Sequence, residues 1–307
     1  MNLEYSAAVA MVRPAAFQFN TATANTNHFQ KSSILSKEEV LANALHEFDE
    51  VVNCLRNSGI EVLVLFDSPQ PVLPDAIFPN NWFISLPGEI ILCPMHAVSR
   101  RAERRQEHLK ELFSFTESVR ITDWSDRELQ NESLEGTGSL ILDRKNKIAF
   151  ACKSERTSDT LFEKFCNHAG YEGFLFEATD RAGQSIYHTN VMMCLGNGFA
   201  VACEDAIVKD EDRKRLRNII KRTGRELITI NVTQMENFAG NMLQLQNING
   251  EHILMMSSRA FISLLPQQIE KIEKFTRILT IDVSTIESIG GGSVRCMIAE
   301  LQLPKIN

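Results

Sequence analysis

The segment Thr189-Asn190-Val191-Met192-Met193 is one of five similar stretches that decide the fold of this 307-residue chain. Each stretch opens with small or amide residues and continues as an apolar run that is typical of a β-strand. The other four are Asn80-Asn81-Trp82-Phe83-Ile84, Thr137-Gly138-Ser139-Leu140-Ile141, Gly240-Asn241-Met242-Leu243-Gln244 and Ser293-Val294-Arg295-Cys296-Met297. Equivalent positions are 57, 52, 51 and 53 residues apart, which indicates five copies of one structural unit.

A helix and a strand precede each of these stretches. Apolar residues spaced three and four apart predict helices at 37–58, 99–114, 154–169, 204–223 and 257–276. Runs rich in β-branched residues predict strands at Glu61–Phe66, Val119–Trp124, Gly173–Phe176, Leu227–Val232 and Ile278–Val283. Turn residues after the first four stretches predict that each continues as a hairpin into a further strand.

The fifth unit has no such further strand of its own. Residues 7–13, which precede the first helix, are apolar and can supply it from the other end of the chain. That closure predicts an α/β fold in which five units form a ring, a pseudo-fivefold propeller without open sheet edges. We expect residues 1–307 to form this single domain.

Composition excludes several classes of function. The formal net charge is −7 and the basic residues are scattered, so neither a nucleic-acid site nor a membrane surface is expected. The seven cysteines are dispersed without metal-ligand spacing, so we expect neither disulfides nor a metal site. Phosphate-loop and dinucleotide motifs are missing, so no cofactor is expected. The sequence predicts a cytoplasmic protein with a small-molecule partner, with a homo-oligomer left open.

Corresponding loops of a ring meet at its axis, so the residues that open the second strands should share one pocket. They include Asn80, Asn81, Glu135, His188, Asn190, Asn241 and Cys296. A role in the turn explains any single Asn or Gly equally well. It does not explain why a Glu, a His and a Cys occupy equivalent places. A cysteine nucleophile needs a base to form its thiolate, and a carboxylate commonly orients that base.

These residues resemble the guanidino-group-modifying enzymes: arginine deiminase, dimethylarginine dimethylaminohydrolase and the amidinotransferases. Four segments carry the resemblance, in the family's order. They are Phe78-Pro79-Asn80-Asn81-Trp82-Phe83, Leu134-Glu135-Gly136-Thr137-Gly138, His188-Thr189-Asn190 and Gly291-Gly292-Ser293-Val294-Arg295-Cys296-Met297. The family fold is a pseudo-fivefold α/β propeller, in agreement with the repeat.

The resemblance implies a mechanism. Cys296 would attack the central carbon of a guanidino or ureido group and form a covalent intermediate. His188 would protonate the leaving nitrogen and then activate water, and Glu135 would orient His188. Two alternatives stay open: transfer of the amidino group to an amine acceptor, and a propeller that serves as a scaffold without catalysis.

The sequence departs from the family where carboxylates bind the cationic guanidinium. Asn81, Gly138 and Asn190 stand at those places. Because asparagine is neutral, we expect a neutral ureido substrate such as citrulline, or a weakly basic amidine, to be preferred over a guanidinium. Asp75 is the nearby acid that could restore a cation site.

A few other side chains have an open role. Arg13 and Arg295 are candidates to bind a substrate carboxylate, with a salt bridge as the alternative for each. Trp82 could line the pocket or pack in the core. The basic run from Arg100 to Arg105 contains an interleaved Glu and is expected to be a solvated helix face.

Overall fold

A computed structural model describes Ser6 and residues 8–24, 27–115 and 119–302. Within these residues the chain forms five sheets of three strands each. In chain order the strands are β1 (Ala8–Arg13), β2 (Glu61–Phe66), β3 (Phe83–Leu86), β4 (Glu89–Leu92), β5 (Arg120–Asp123), β6 (Ile141–Asp143), β7 (Ile148–Cys152), β8 (Glu172–Phe176), β9 (Met193–Gly196), β10 (Phe199–Ala202), β11 (Glu226–Thr229), β12 (Leu243–Gln246), β13 (His252–Ser257), β14 (Arg277–Ile281) and β15 (Ala299–Glu300).

Every sheet has the same topology. The first strand pairs antiparallel with the middle strand, and the middle strand pairs parallel with the third. The parallel connection is long enough to contain the helix of that unit, as parallel pairing requires. The predicted order of helix and strand is therefore confirmed.

The two ends of the chain close the ring. Strand β1 pairs antiparallel with β15, with Val9 opposite Glu300, and parallel with β2. The described part of the predicted strand at residues 7–13 is therefore the middle strand of the fifth sheet, and Ala7 lies outside the described residues. The pseudo-fivefold α/β propeller is confirmed, because five equivalent sheets are arranged with the last one shared between the chain ends.

The helices are shorter than the sequence predicts, and several are interrupted. They are α1 (Lys37–Asn57), α2 (Gln106–Ser114), α3 (Gly136–Ser139), α4 (Asp159–Ala169), α5 (Asp210–Arg222), α6 (Val232–Glu236), α7 (Ser258–Ser263), α8 (Pro266–Glu273) and α9 (Val294–Met297). The predicted helix 257–276 is divided because Pro266 lacks an amide donor and starts a new helix. The predicted helix 154–169 begins only after Ser158, whose side chain accepts from the Leu161 amide as an N-cap.

The first strands of neighbouring sheets contact one another around the axis, as β6 does with β9 and β9 with β12. The loops and short helices that open these strands therefore meet at one end of the axis. Apolar side chains from adjoining sheets and helices fill the space around them, and Trp82 belongs to this packing instead of lining a pocket. Among the residues that the structure describes, no helix has the length and hydropathy to cross a membrane.

Candidate active site

Cys296 lies in the short helix α9, and its thiol is almost fully buried. The Asn190 Nδ2 donates to Cys296 Sγ at 3.4 Å, and the Asn241 Nδ2 donates to the same atom at 3.3 Å. Two side-chain N–H donors thus point at the same sulfur atom and hold it in position between Asn190 and Asn241.

The other cysteines have a different environment. Burial raises the pKa of Cys93, Cys152 and Cys194 to about 12, and that of Cys166 and Cys203 to about 11. These five thiols remain protonated at neutral pH and serve as packing residues.

The glycine-rich loop before Cys296 packs tightly against an aromatic ring. A Cβ atom at Gly290 would lie 2.8 Å from the ring of Phe78, and one at Gly292 would lie 2.9 Å from that ring. Gly291 has φ +64°, in the left-handed region. The loop therefore has glycine here because side chains would collide with Phe78 or strain the backbone.

His188 is buried and bound to Glu135, with 2.8 Å between His188 Nε2 and Glu135 Oε2. Burial lowers the pKa of His188 to about 4, although the Glu135 carboxylate opposes this shift. Burial would raise the pKa of Glu135, but Arg156, His188 and Arg100 outweigh it and lower that pKa. At neutral pH the pair is thus a carboxylate and a neutral imidazole, which can accept a proton.

Arg100 is the central cation of the site, and the expectation that it lies on a solvated face is wrong. Residues 98–103 form a 3-10 helix that turns Arg100 inward, leaving it 3% exposed. Its guanidinium binds both oxygens of Glu103, at 2.8 and 2.9 Å, and donates from Nη1 to Asn81 Oδ1 at 2.9 Å. A second buried arginine, Arg156, lies 3.5 Å from Glu135 Oε2. The apolar periodicity that predicted helices at 99–114 and 154–169 did not indicate that Arg100 and Arg156 would be buried at this site.

Three polar atoms near the thiol are buried without a hydrogen-bond partner in the described structure: Asn81 Nδ2, Asn190 Oδ1 and Asp75 Oδ1. The other oxygen of Asp75 accepts from Asn20 and Thr23. Unpaired buried polar atoms are costly, so their concentration in one place is typical of a site that awaits a ligand.

Gly138 leaves no room for the carboxylate that the family has at this place. A Cβ there would lie 2.3 Å from Asn81 Nδ2 and 2.9 Å from the His188 ring. A glycine stands at position 138 because Asn81 and His188 both approach it too closely for a side chain.

These groups surround one small cavity. Its walls are formed by Asn27, Asp75, Phe78, Asn81, Arg100, Arg156, Tyr187, His188, Gly290, Gly291, Gly292 and Cys296. Its volume of about 20 Å³ has room for about one water molecule. Asn27 is held in the wall of the cavity by donating to the carbonyls of Gly290 and Gly291 at 3.3 and 3.4 Å.

The structure brings together most of the predicted site residues. Four of them line the cavity: Cys296, His188, Asn81 and Asp75. Glu135 binds His188, and Asn190 and Asn241 both donate to the Cys296 sulfur. Asn80 is fully buried next to Asn81 but does not line the cavity. Sequence reasoning missed Asn27, Arg100, Arg156 and Tyr187.

Two predicted carboxylate-binding residues lie elsewhere. Arg13 forms a two-point salt bridge with Asp49 of α1, at 2.9 and 2.8 Å. The guanidinium of Arg295 faces away from the cavity and binds Glu300 at 3.0 Å, because neighbouring side chains of the short helix α9 point in different directions. Arg13 and Arg295 therefore each form a salt bridge, which was the alternative to binding a substrate carboxylate.

A five-unit ring with a Cys, a His and a Glu in its axial loops defines the pentein superfamily of guanidino-group-modifying enzymes, and this chain is a member of it. The family model for eukaryotic N,N dimethylarginine dimethylhydrolase matches residues 13–303, so the chain belongs to that family. It is accordingly a hydrolase that acts on C–N bonds other than peptide bonds. A search of curated protein sequences found no match.

Solved structures share this fold at low sequence identity. The apo structure of ArgZ, an arginine dihydrolase from the ornithine–ammonia cycle in cyanobacteria, matches with a TM-score of 0.76 at 15% identity, over 97% of this chain and 41% of that chain. The chain thus spans less than half of ArgZ. The ArgZ N-terminal domain covalently bonded to a reaction intermediate matches with a TM-score of 0.75 at 16% identity, over 98% of this chain and 99% of that chain. The adduct of dimethylarginine dimethylaminohydrolase with S-methyl-L-thiocitrulline matches with a TM-score of 0.64 at 16% identity, over 96% of this chain and 99% of that chain.

Proposed function

We propose that this chain hydrolyses the neutral ureido group of a citrulline-like amino acid through a covalent Cys296 intermediate. The observation that carries the proposal is the orientation of the Asn81 amide. A guanidinium has donors and no acceptor, so the Asn81 atom that faces Arg100 Nη1 must be the oxygen. The Asn81 NH₂ group is consequently fixed as a donor of a residue that lines the same cavity as Cys296.

This arrangement complements a ureido group better than a guanidinium. A ureido group has one carbonyl oxygen, which can accept from Asn81 Nδ2, and N–H groups, which can donate to Asn190 Oδ1 and Asp75 Oδ1. A guanidinium would place an N–H against the Asn81 donor. The preference inferred from the neutral residues of the sequence thus gains a geometric argument.

The reaction has two halves. His188 accepts the proton of the Cys296 thiol as the sulfur attacks the ureido carbon. The bond from that carbon to the side-chain nitrogen breaks, and the released amine takes up that proton from His188. Water then attacks the S-carbamoyl cysteine while His188 accepts a proton from it, and the departing sulfur takes this proton back. The carbamate product decomposes to ammonia and carbon dioxide. Glu135 holds His188 in position throughout.

A guanidino substrate is the second candidate, and one observation favours it. Asp75 Oδ1 is a buried carboxylate oxygen beside the cavity that no hydrogen bond within the described residues satisfies, and it could pair with a cation. Amidino transfer to an amine shares the first half-reaction with hydrolysis. Adding an amine acceptor and analysing the products separates the two.

The test measures ammonia and amine release from citrulline, arginine, methylated arginines, agmatine and carbamoyl-putrescine. Cys296→Ala is compared with Cys54→Ala, which removes a half-buried thiol of α1 outside the cavity. The proposal expects citrulline or carbamoyl-putrescine to give the highest kcat/KM, with activity lost only in Cys296→Ala. Faster turnover of arginine or methylarginine would overturn the ureido assignment, and equal background in both variants would overturn the cysteine mechanism.

A further inference from the structure

A second cavity lies along the same inner strands. Its lining extends from Thr137, Met242 and Arg295, beside the loops of the candidate active site, to Arg144 and Arg225 at the other ends of the strands. Side chains of β6, β9, β12 and β15 line it between these ends. Its volume is about 50 Å³, more than twice that of the catalytic cavity. This is enough for a few waters or one small anion.

The walls of this cavity have an excess of positive charge. Arg144, Arg225 and Arg295 line it, against two carboxylates, Asp143 and Glu300. Asp143 pairs with Arg225. Glu300 is shared, with one oxygen 3.0 Å from Arg295 Nη2 and the other 3.5 Å from Arg144 Nη2. One carboxylate between two guanidinium groups leaves a net positive charge in a largely buried space.

A buried donor completes the arrangement. Gln244 is 2% exposed and lines the cavity. The Gln244 side-chain oxygen accepts from the backbone N–H of Asn197 at 2.6 Å, which fixes the orientation of the Gln244 side chain. The remaining atom, Gln244 Nε2, has no hydrogen-bond partner in the part of the chain that the structure describes. A buried N–H group without a partner needs an acceptor.

Burial also acts on Arg295 itself. Desolvation lowers the pKa of Arg295, and the neighbouring Arg144 contributes in the same direction, against the opposing effect of Glu300. An anion in the cavity would compensate both effects, since it would supply negative charge to two guanidinium groups that share one carboxylate.

We propose that this cavity binds a small oxyanion of phosphate size through Arg144, Arg295 and Gln244. Guanidinium groups bind oxyanions through paired N–H donors, and Gln244 supplies one more donor. The site is separate from the proposed hydrolysis, and binding here does not require a thiol.

The test is titration of the intact chain with inorganic phosphate, at constant ionic strength set with chloride, by calorimetry. We expect saturable binding of one phosphate per chain. Gln244→Glu replaces the donor with a negative charge and should weaken binding at least tenfold. Gln246→Met, on the same strand but outside the cavity, should leave binding unchanged.

Two further variants keep the result unambiguous. Cys296→Ala should retain phosphate binding, which excludes the catalytic cavity as the source of the signal. Arg144→Met should weaken binding in the same way as Gln244→Glu, which guards against a fold defect in either variant. Lack of saturable binding by the native chain, or equal binding by native chain and Gln244→Glu, would overturn the proposal.

Discussion

The His188 Nε2 lies 2.8 Å from Glu135 Oε2, and both side chains are buried, with His188 lining the same cavity as Cys296. Burial keeps the imidazole neutral at neutral pH, while Arg156 and Arg100 help to keep the carboxylate ionised. The pair can therefore accept a proton, hold it next to a carboxylate and return it, as a two-step cysteine mechanism requires.

The first prediction concerns stability and pH. An unfolded histidine titrates near pH 6.5, and burial lowers the pKa of His188 to about 4 in the folded chain. Between these values the folded state binds fewer protons, so the contribution of His188 to the free energy of unfolding rises with pH and is lost on acidification. We expect the difference in that free energy between native chain and His188→Gln to grow by about 3 kcal/mol from pH 4 to 6.5.

Urea denaturation at several pH values measures this difference. Acidic groups other than Glu135, whose pKa His188 itself helps to lower, titrate in both proteins and cancel. His46→Gln makes the same replacement at an exposed histidine of α1 and serves as the matched control. A His188→Gln profile parallel to the native one would contradict the neutral buried imidazole.

The second prediction concerns specificity. Asn81→Asp keeps an oxygen for Arg100 but turns the group that faces the cavity from a donor into an acceptor. The ratio of kcat/KM for citrulline to that for arginine should fall by about 10- to 100-fold, since a charged hydrogen bond contributes about 1.5–3 kcal/mol. Asn231→Asp makes the same chemical change at the N-cap of α6, outside the cavity, and should leave the ratio unchanged.

The repeat allowed the ring to be predicted because it depends on local patterns. Apolar runs rich in β-branched residues define each strand, and residues 7–13 could supply the strand that the fifth unit lacks. The Cys, His and Glu could be identified because each opens an equivalent strand. Arg100 could not be identified in this way, since its inward direction depends on a 3-10 turn in a segment whose composition suggested an exposed helix. The orientation of Asn81 follows from Arg100 and was equally inaccessible.

The third prediction concerns Gly138. Alanine there would place a Cβ 2.3 Å from Asn81 Nδ2 and 2.9 Å from the His188 ring, so both must move. We expect kcat/KM to fall more than about 100-fold, because small displacements of positioned groups are costly in catalysis. Overpacking should also lower the free energy of unfolding by about 1–3 kcal/mol.

Gly88→Ala separates the two effects of that change. Gly88 has φ +74°, and a Cβ atom added there would have nothing within 4 Å, so alanine strains the backbone without touching the site. It should cost about 1–2 kcal/mol of stability and leave kcat/KM unchanged. If Gly138→Ala retained full activity, the tight packing of Asn81 against His188 would not matter for catalysis.

The fourth prediction tests the guanidinium that fixes Asn81. Arg100→Lys keeps the positive charge, but an ammonium group lacks the planar fork that binds Glu103 at two points while donating to Asn81. The Asn81 amide should then be free to rotate, and the preference for citrulline over arginine should fall toward one as arginine gains relative kcat/KM. Arg104→Lys is the matched control. Arg104 lies four residues after Arg100 and forms a salt bridge with Glu128, but it does not line the cavity. An unchanged preference in a folded Arg100→Lys chain would show that Asn81 is oriented by something other than Arg100.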